Sequence, residues 1–138
     1  MATETTLVLV KPDGVRRGLA GEVVSRFERR GYDLRGARLL KISRALAAEH
    51  YAEHKGMPFY PDLVSFITSG PVLALAVRGE NAILGIRSLM GATNPTDSAP
   101  GTIRGDLATE LSENIVHGSD SRASAKRELG LFFPDGLV

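Results

Sequence analysis

A chain of 138 residues is long enough to bury a core of its own, and it contains no cysteine, which excludes disulfides, thiolate metal sites and cysteine nucleophiles. Seventeen Lys and Arg against sixteen Asp and Glu leave a formal charge of +1, so no broad attraction to nucleic acid or to an anionic membrane is available, and any anion site must come from local clustering. The N-terminus lacks the basic start and cleavage site of a signal peptide, and no apolar run approaches the ~20 residues that span a bilayer. One soluble, cytoplasmic domain covering residues 1–138 is expected, with no membrane partner.

In chain order, Thr5 to Val10 is short, β-branched and bounded by Lys11-Pro-Asp-Gly14, the pattern of a buried strand followed by a turn. Gly21 to Arg30 sets Val23, Val24 and Phe27 at helical spacing, with Gly31 as the residue that ends the helix. Leu34 to Ile42 predicts a second strand, and Ser43 caps a helix carrying Leu46, Ala47 and Tyr51. Lys55-Gly-Met-Pro58 breaks that helix; Leu63, Phe66 and Ile67 mark another after Pro61, ended by Ser69-Gly-Pro71. Val72 to Val77 is apolar throughout, as a central strand would be. Asn81 to Leu89 reads as a helix, and Gly91 to Gly105 as a long loop of the kind that is usually functional. Asn114 to His117 is a last short strand and Ser121 to Leu129 a last helix. This interleaving supports an α/β or α+β domain and leaves the strand order open.

Neither a G-x-x-x-x-G-K-[ST] loop nor a G-x-G-x-x-G turn occurs, so nucleotide binding would have to proceed without the two commonest devices. Taken alone, Lys11 reads as a solvated strand-end lysine. Arg87, Thr93 and Arg104 bracket the long loop, where two guanidiniums, a hydroxyl and glycine-freed amides can jointly chelate a polyphosphate. His117, between two β-branched residues and a glycine, can project from a rigid strand end into a cleft. An imidazole, with its ordinary pKa of about 6.5, is largely neutral and nucleophilic near neutral pH without a separate base. Glu128 on the following helix is the candidate to orient the ring. His50 and His54 are spaced i, i+4 like half a metal site, but no further ligand pair accompanies them, and both are expected to face solvent.

Together these residues resemble one family, the nucleoside diphosphate kinases of the bacterial type. Residues 114–121, Asn-Ile-Val-His-Gly-Ser-Asp-Ser, match its active-site signature throughout. Val10-Lys-Pro-Asp-Gly14, residues 49–59, Ser69-Gly-Pro-Val72, Arg87 to Pro95 and Pro100 to Asp106 follow in family order. The resemblance implies a ferredoxin-like sandwich with a four-stranded antiparallel sheet. It also implies transfer of the γ-phosphate of a nucleoside triphosphate to a nucleoside diphosphate, by a ping-pong route through a phosphohistidine. By the same resemblance, His117 accepts the phosphate and Glu128 holds its other ring nitrogen. Lys11, Arg87, Thr93 and Arg104 hold phosphates, Phe59 stacks on the base and Asn114 contacts the sugar. Tyr51 and Ser119 support the histidine. Mg²⁺ is implied as cofactor, carried by the nucleotide's phosphates with no protein metal site. A homo-oligomer is implied as well, with a hexamer favoured and a tetramer possible. Two alternatives remain: a non-catalytic nucleotide-binding or interaction module on the same fold, and a single-stranded nucleic-acid binder. The second would want exposed aromatics on its central strands, and Val72 to Val77 has none.

Overall fold

A computed structural model describes residues 2–138. Strands β1 (Thr3–Val10), β2 (Asp33–Lys41), β3 (Pro71–Glu80) and β4 (Val116–Gly118) form one sheet in the order β2-β3-β1-β4, every pairing antiparallel. The helices are α1 (Pro12–Arg16), α2 (Ala20–Arg29), α3 (Arg44–His50), α4 (Tyr60–Ile67), α5 (Ala82–Met90), α6 (Ile103–Leu107) and α7 (Arg122–Phe132). This is the antiparallel ferredoxin-like sandwich expected from the resemblance.

Alternation along the central strands explains why both faces are covered. Val8 and Val10 of β1 and Leu75 and Val77 of β3 point to one side, where Val23 and Phe27 of α2, Ile86 and Met90 of α5 and Ile103 of α6 close over them. Leu7, Leu9, Val72 and Ala74 point to the other, against Ala47, Val64, Ile67 and Phe132 from α3, α4 and α7. Successive side chains of a strand face opposite ways, so a strand buried on both sides must be apolar at every position. Leu7 through Val10 are all completely buried, and at ~1.5–3 kcal/mol for each such side chain, β1 contributes to two cores at once.

Three local differences from the sequence reading have physical reasons. Lys11-Pro-Asp-Gly14 is the start of α1 rather than a turn, because Pro12 occupies the first helical position, where its fixed φ suits the helix and its missing N–H is not needed. The loop from Gly91 contains a 3₁₀ turn at Pro95–Asp97, and its end is the start of α6, nucleated by Thr102, whose hydroxyl accepts from the Gly105 amide at 2.9 Å. The final strand begins at Val116 rather than Asn114, because Ile115 between them has φ +73° and cannot continue a pleat. The loop is pinned to α2 by Arg26, which bridges Asp106 at 3.0 Å while Asp106 accepts from the Gly101 amide at 2.8 Å.

Candidate active site

His117 reaches the site through strand register. It lies directly opposite Leu9 on β1 and so shares that residue's face, the one covered by α3 and α7. A cleft of about 350 Å³ opens there, lined among others by Lys11, Tyr51, Phe59, Arg87, Thr93, Arg104, Asn114, His117 and Glu128. Nine of the ten residues singled out from the sequence therefore meet in one cavity. The tenth, Ser119, is buried just behind it.

Glu128, from the middle of α7, holds the histidine from below. Its Oε1 lies 3.2 Å from His117 Nε2 and accepts from the Ser119 hydroxyl at 2.6 Å. Burial opposes the carboxylate's charge, but the hydrogen bond and charge of His117 and the Ser119 hydroxyl outweigh it, and the Glu128 pKa falls to about 2. With Nε2 engaged by a carboxylate, the ring's proton belongs on Nε2 and the lone pair of Nδ1 is left for chemistry. Ser119 is itself fixed by the sheet, its amide donating to the Leu7 carbonyl at 3.1 Å.

The cationic side of the cleft is built around Asn114 and the strained Ile115. A β-branched residue at φ +73° costs on the order of 1–3 kcal/mol, and two hydrogen bonds hold it there. The Ile115 amide donates to Asp13 Oδ2 at 3.0 Å, and its carbonyl accepts from the Lys11 amide at 2.7 Å. The kink turns Asn114 toward Lys11, whose ammonium donates to Asn114 Oδ1 at 2.7 Å, while Asn114 Nδ2 donates to the Thr93 carbonyl at 2.8 Å. Lys11 is thus half-buried and fixed, and not a solvated strand end.

Arg104 is almost completely buried and bonds only carbonyls. It donates to Asn114 at 3.2 Å, Gly91 at 3.0 Å and Val116 at 2.7 Å. Arg87 donates to the Gly118 carbonyl at 3.1 Å. Among the described residues, none of Lys11, Arg87 and Arg104 is paired with a carboxylate. Burial and the neighbouring Arg104 charge bring the Lys11 pKa down to about 8, against the pull of Asp13. Burial and Arg87 bring Arg104 down to about 10. One buried and two half-buried cations without a carboxylate partner around a cleft leave it with positive charge that an incoming anion can meet.

Tyr51 lies against the floor, its hydroxyl pushed up to about 12 by burial and by the Glu128 charge, so it stays a neutral donor. Phe59, 44% exposed, stands at the mouth in a T-shaped contact with His54.

One expectation fails. His50 is not on the surface; it is 4% exposed, beneath His117 and beside Glu128, while His54 is half-buried at the cleft mouth. The signal was present in the spacing, since Ala47 and His50 lie one turn apart and both face the core. His50, His117 and Glu128 form a cluster of metal-ligating types. The pocket's cations oppose a further positive charge there.

An α/β sandwich with a carboxylate-held histidine in a cleft lined by cations that lack a carboxylate partner has the parts that phosphoryl transfer needs. The comparisons agree. The pattern that defines the nucleoside diphosphate kinase family matches residues 4–138. The nucleoside diphosphate kinase of Brevibacillus brevis is 61% identical over 130 residues, covering 94% of this chain and 88% of that one. That of a Thermus thermophilus strain is 54% identical, covering 98% and 99%. The solved nucleoside diphosphate kinase of Halobacterium salinarum in complex with CDP superposes with a TM-score of 0.96 at 51% identity, covering 99% of this chain and 92% of that one. The chain belongs to the nucleoside diphosphate kinase family, and it is an enzyme that transfers phosphate between nucleotides.

Proposed function

We propose that the transfer runs in two half-reactions through Nδ1 of His117. The Nδ1 lone pair attacks the γ-phosphorus of a nucleoside triphosphate, the bond from that phosphorus to the bridging oxygen breaks, and the nucleoside diphosphate leaves with the electron pair. A second diphosphate enters the same cleft and takes the phosphoryl group back by the reverse displacement. The observation that supports this is the contact of His117 Nε2 with a buried carboxylate that also accepts from the Ser119 hydroxyl and faces Arg127 at 3.8 Å. Glu128 holds the Nε2–H throughout and no general base is needed.

Lys11, Arg87, Thr93 and Arg104 are the groups proposed to hold the β- and γ-phosphates, where charge is greatest as the bond breaks. Asn114 is the proposed sugar contact, with Tyr51 and Ser119 supporting the histidine. Phe59, exposed at the mouth, suits stacking on a base with no hydrogen bonds to its edge, which would make the enzyme tolerant of different bases. A non-catalytic module on this fold is not favoured, since it would have no use for an oriented histidine within unpaired cations.

The residues fit magnesium carried on the nucleotide. Magnesium wants an octahedron of oxygens, and the ligand cluster at hand is two imidazoles and a carboxylate facing cations. The ion would screen phosphate charge and so ease approach of the nucleophile. A cytoplasmic location suits such substrates. Assembly into a homo-oligomer, hexamer or tetramer, is supported by the edge strand β2, which exposes Leu34 and Leu39; sedimentation velocity at several concentrations tests it.

Incubated with γ-labelled ATP and magnesium, the protein should acquire an acid-labile, alkali-stable label that leaves on addition of GDP. Direct transfer with no labelled enzyme would overturn the two-step route. A pH dependence is also expected. In the free protein Lys11 loses its proton near pH 8, whereas a bound phosphate would keep it charged, so binding of ADP should take up a proton and weaken as pH rises above about 8. For folding the sign is opposite. The unfolded lysine holds its proton up to its ordinary 10.5, so the free protein should gain stability between about 8 and 10.5. Calorimetry in buffers of different ionisation enthalpy reads the first effect, and an affinity constant from pH 7 to 9.5 would remove Lys11 from the phosphate site.

A further inference from the structure

His50 ends α3, and its ring is almost completely buried at the wall of the cleft. His117 lies edge-on at 4.8 Å between ring centroids, Phe132 edge-on at 5.5 Å, and Tyr51 is tilted against it at 4.7 Å. Neither ring nitrogen has a hydrogen-bond partner among the described residues. An unpartnered buried imidazole is costly, and its position suggests why it is kept. The two oxygens of Glu128 are used unequally. Oε1 takes His117 Nε2 and the Ser119 hydroxyl, while Oε2 faces only His50 Nδ1 and one Arg127 nitrogen, each at 3.8 Å. Arg127 in turn donates to the carbonyls of Glu49 at 2.9 Å and His50 at 3.3 Å, tying the end of α3 to α7.

We infer that His50 is a positioning residue for the phosphate acceptor: it presents Nδ1–H to Glu128 Oε2 and so keeps Oε1 turned toward His117. A carboxylate oxygen only accepts, so a lone pair on the facing nitrogen would repel it, and the proton of His50 belongs on Nδ1. The present 3.8 Å is longer than a hydrogen bond. Such contacts commonly tighten when substrate closes a site, and a small rotation of the carboxylate suffices. His50 also has to be uncharged, because an imidazolium there would draw Glu128 away from the neutral His117. Burial, the neighbouring His117 and the Arg127 and Lys11 charges ensure this, bringing its pKa to about 3 although Glu128 pulls the other way. His50 lines the cleft wall next to His117; in this role it acts through Glu128, as the groups behind ligating histidines do at metal sites.

The inference rests on His117 as the acceptor, but its first test needs no nucleotide and so fails independently of the labelling experiment. Nitrogen-15 spectra of the unmodified protein should show His50 protonated on Nδ1 and His117 protonated on Nε2. A proton on His50 Nε2 instead would overturn the proposal. His50→Phe keeps the ring's shape without a donor and should give His117 as a mixture of tautomers. Its kcat should fall about tenfold, the worth of one hydrogen bond to a charged group, with nucleotide KM unchanged. His50→Asn places an amide N–H where Nδ1 was and should restore a single His117 tautomer and most of the rate. A phenylalanine variant with wild-type kcat and a single tautomer, or an asparagine variant as impaired as it, would show that His50 only fills space.

Discussion

His117→Ala should take up no phosphate from labelled ATP and lose transfer by on the order of 10⁴-fold or more, as removal of a covalent nucleophile does elsewhere. It should still fold, because the side chain is 26% exposed and contributes little to either core. The variant should nonetheless differ from the parent in acid. Glu128 is held at about 2, with the His117 hydrogen bond and charge the first of the stabilising causes after burial is overcome. A depressed carboxylate contributes stability that is complete above its ordinary value of 4.5 and is lost as pH falls through the folded value. Without His117, Ser119 and the weaker influence of His50 remain, and burial pushes the other way, so the folded pKa must rise. The acid unfolding midpoint of the alanine variant, followed by circular dichroism, should therefore move to higher pH. A labelled variant would place the phosphate on another side chain. An unchanged acid midpoint would mean that the contact between His117 and Glu128 is not what lowers the carboxylate.

How far the sequence foretells this site depends on what each residue relies on. His117, Glu128, Lys11 and the arginines stand out because their types are chemically costly to bury, and the motifs bring them in order. The strands follow from apolar runs of strand length, and the two-sided burial of β1 and β3 follows from the absence of alternation in Leu7 to Val10 and Val72 to Val77. What periodicity could not convey was short-range geometry. A five-residue helix at Pro12 carries too few residues for a pattern, and the inverted φ of Ile115 runs against its own propensity, sustained by Asp13 from the other end of the chain. The place of His50 is hidden for a different reason. Its spacing from His54 suggests a surface pair, whereas its spacing from Ala47 puts it on the core face. Only the approach of α7 shows which of the two spacings matters, because Glu128 and Arg127 arrive from 77 or more residues away.

Arg104→Ala should damage both stability and catalysis, which separates it from the other cationic positions. The guanidinium sits in the interior with no carboxylate beside it, and its hydrogens bind the carbonyls of Gly91, Asn114 and Val116. Those three carbonyls belong to the loop after α5 and to both sides of the kink at Ile115, so one side chain ties the loop to the strand bearing His117. Removing it leaves buried acceptors without donors, and after water enters the space the expected loss is about 3 kcal/mol. Urea unfolding should show it as a lower midpoint with an unchanged slope. Phosphoryl transfer should fall by more than any loss of folded protein explains, since Arg104 also supplies charge to the cleft. Arg104→Lys discriminates between the two roles. A lysine retains a charge but lacks the planar fork and can satisfy fewer of the carbonyls from one point, so it should recover part of the ADP affinity while leaving the unfolding midpoint low. A lysine variant with full stability would mean that the carbonyl bonds are incidental. An alanine variant that transfers phosphate normally would mean that the phosphates lie elsewhere in the cleft.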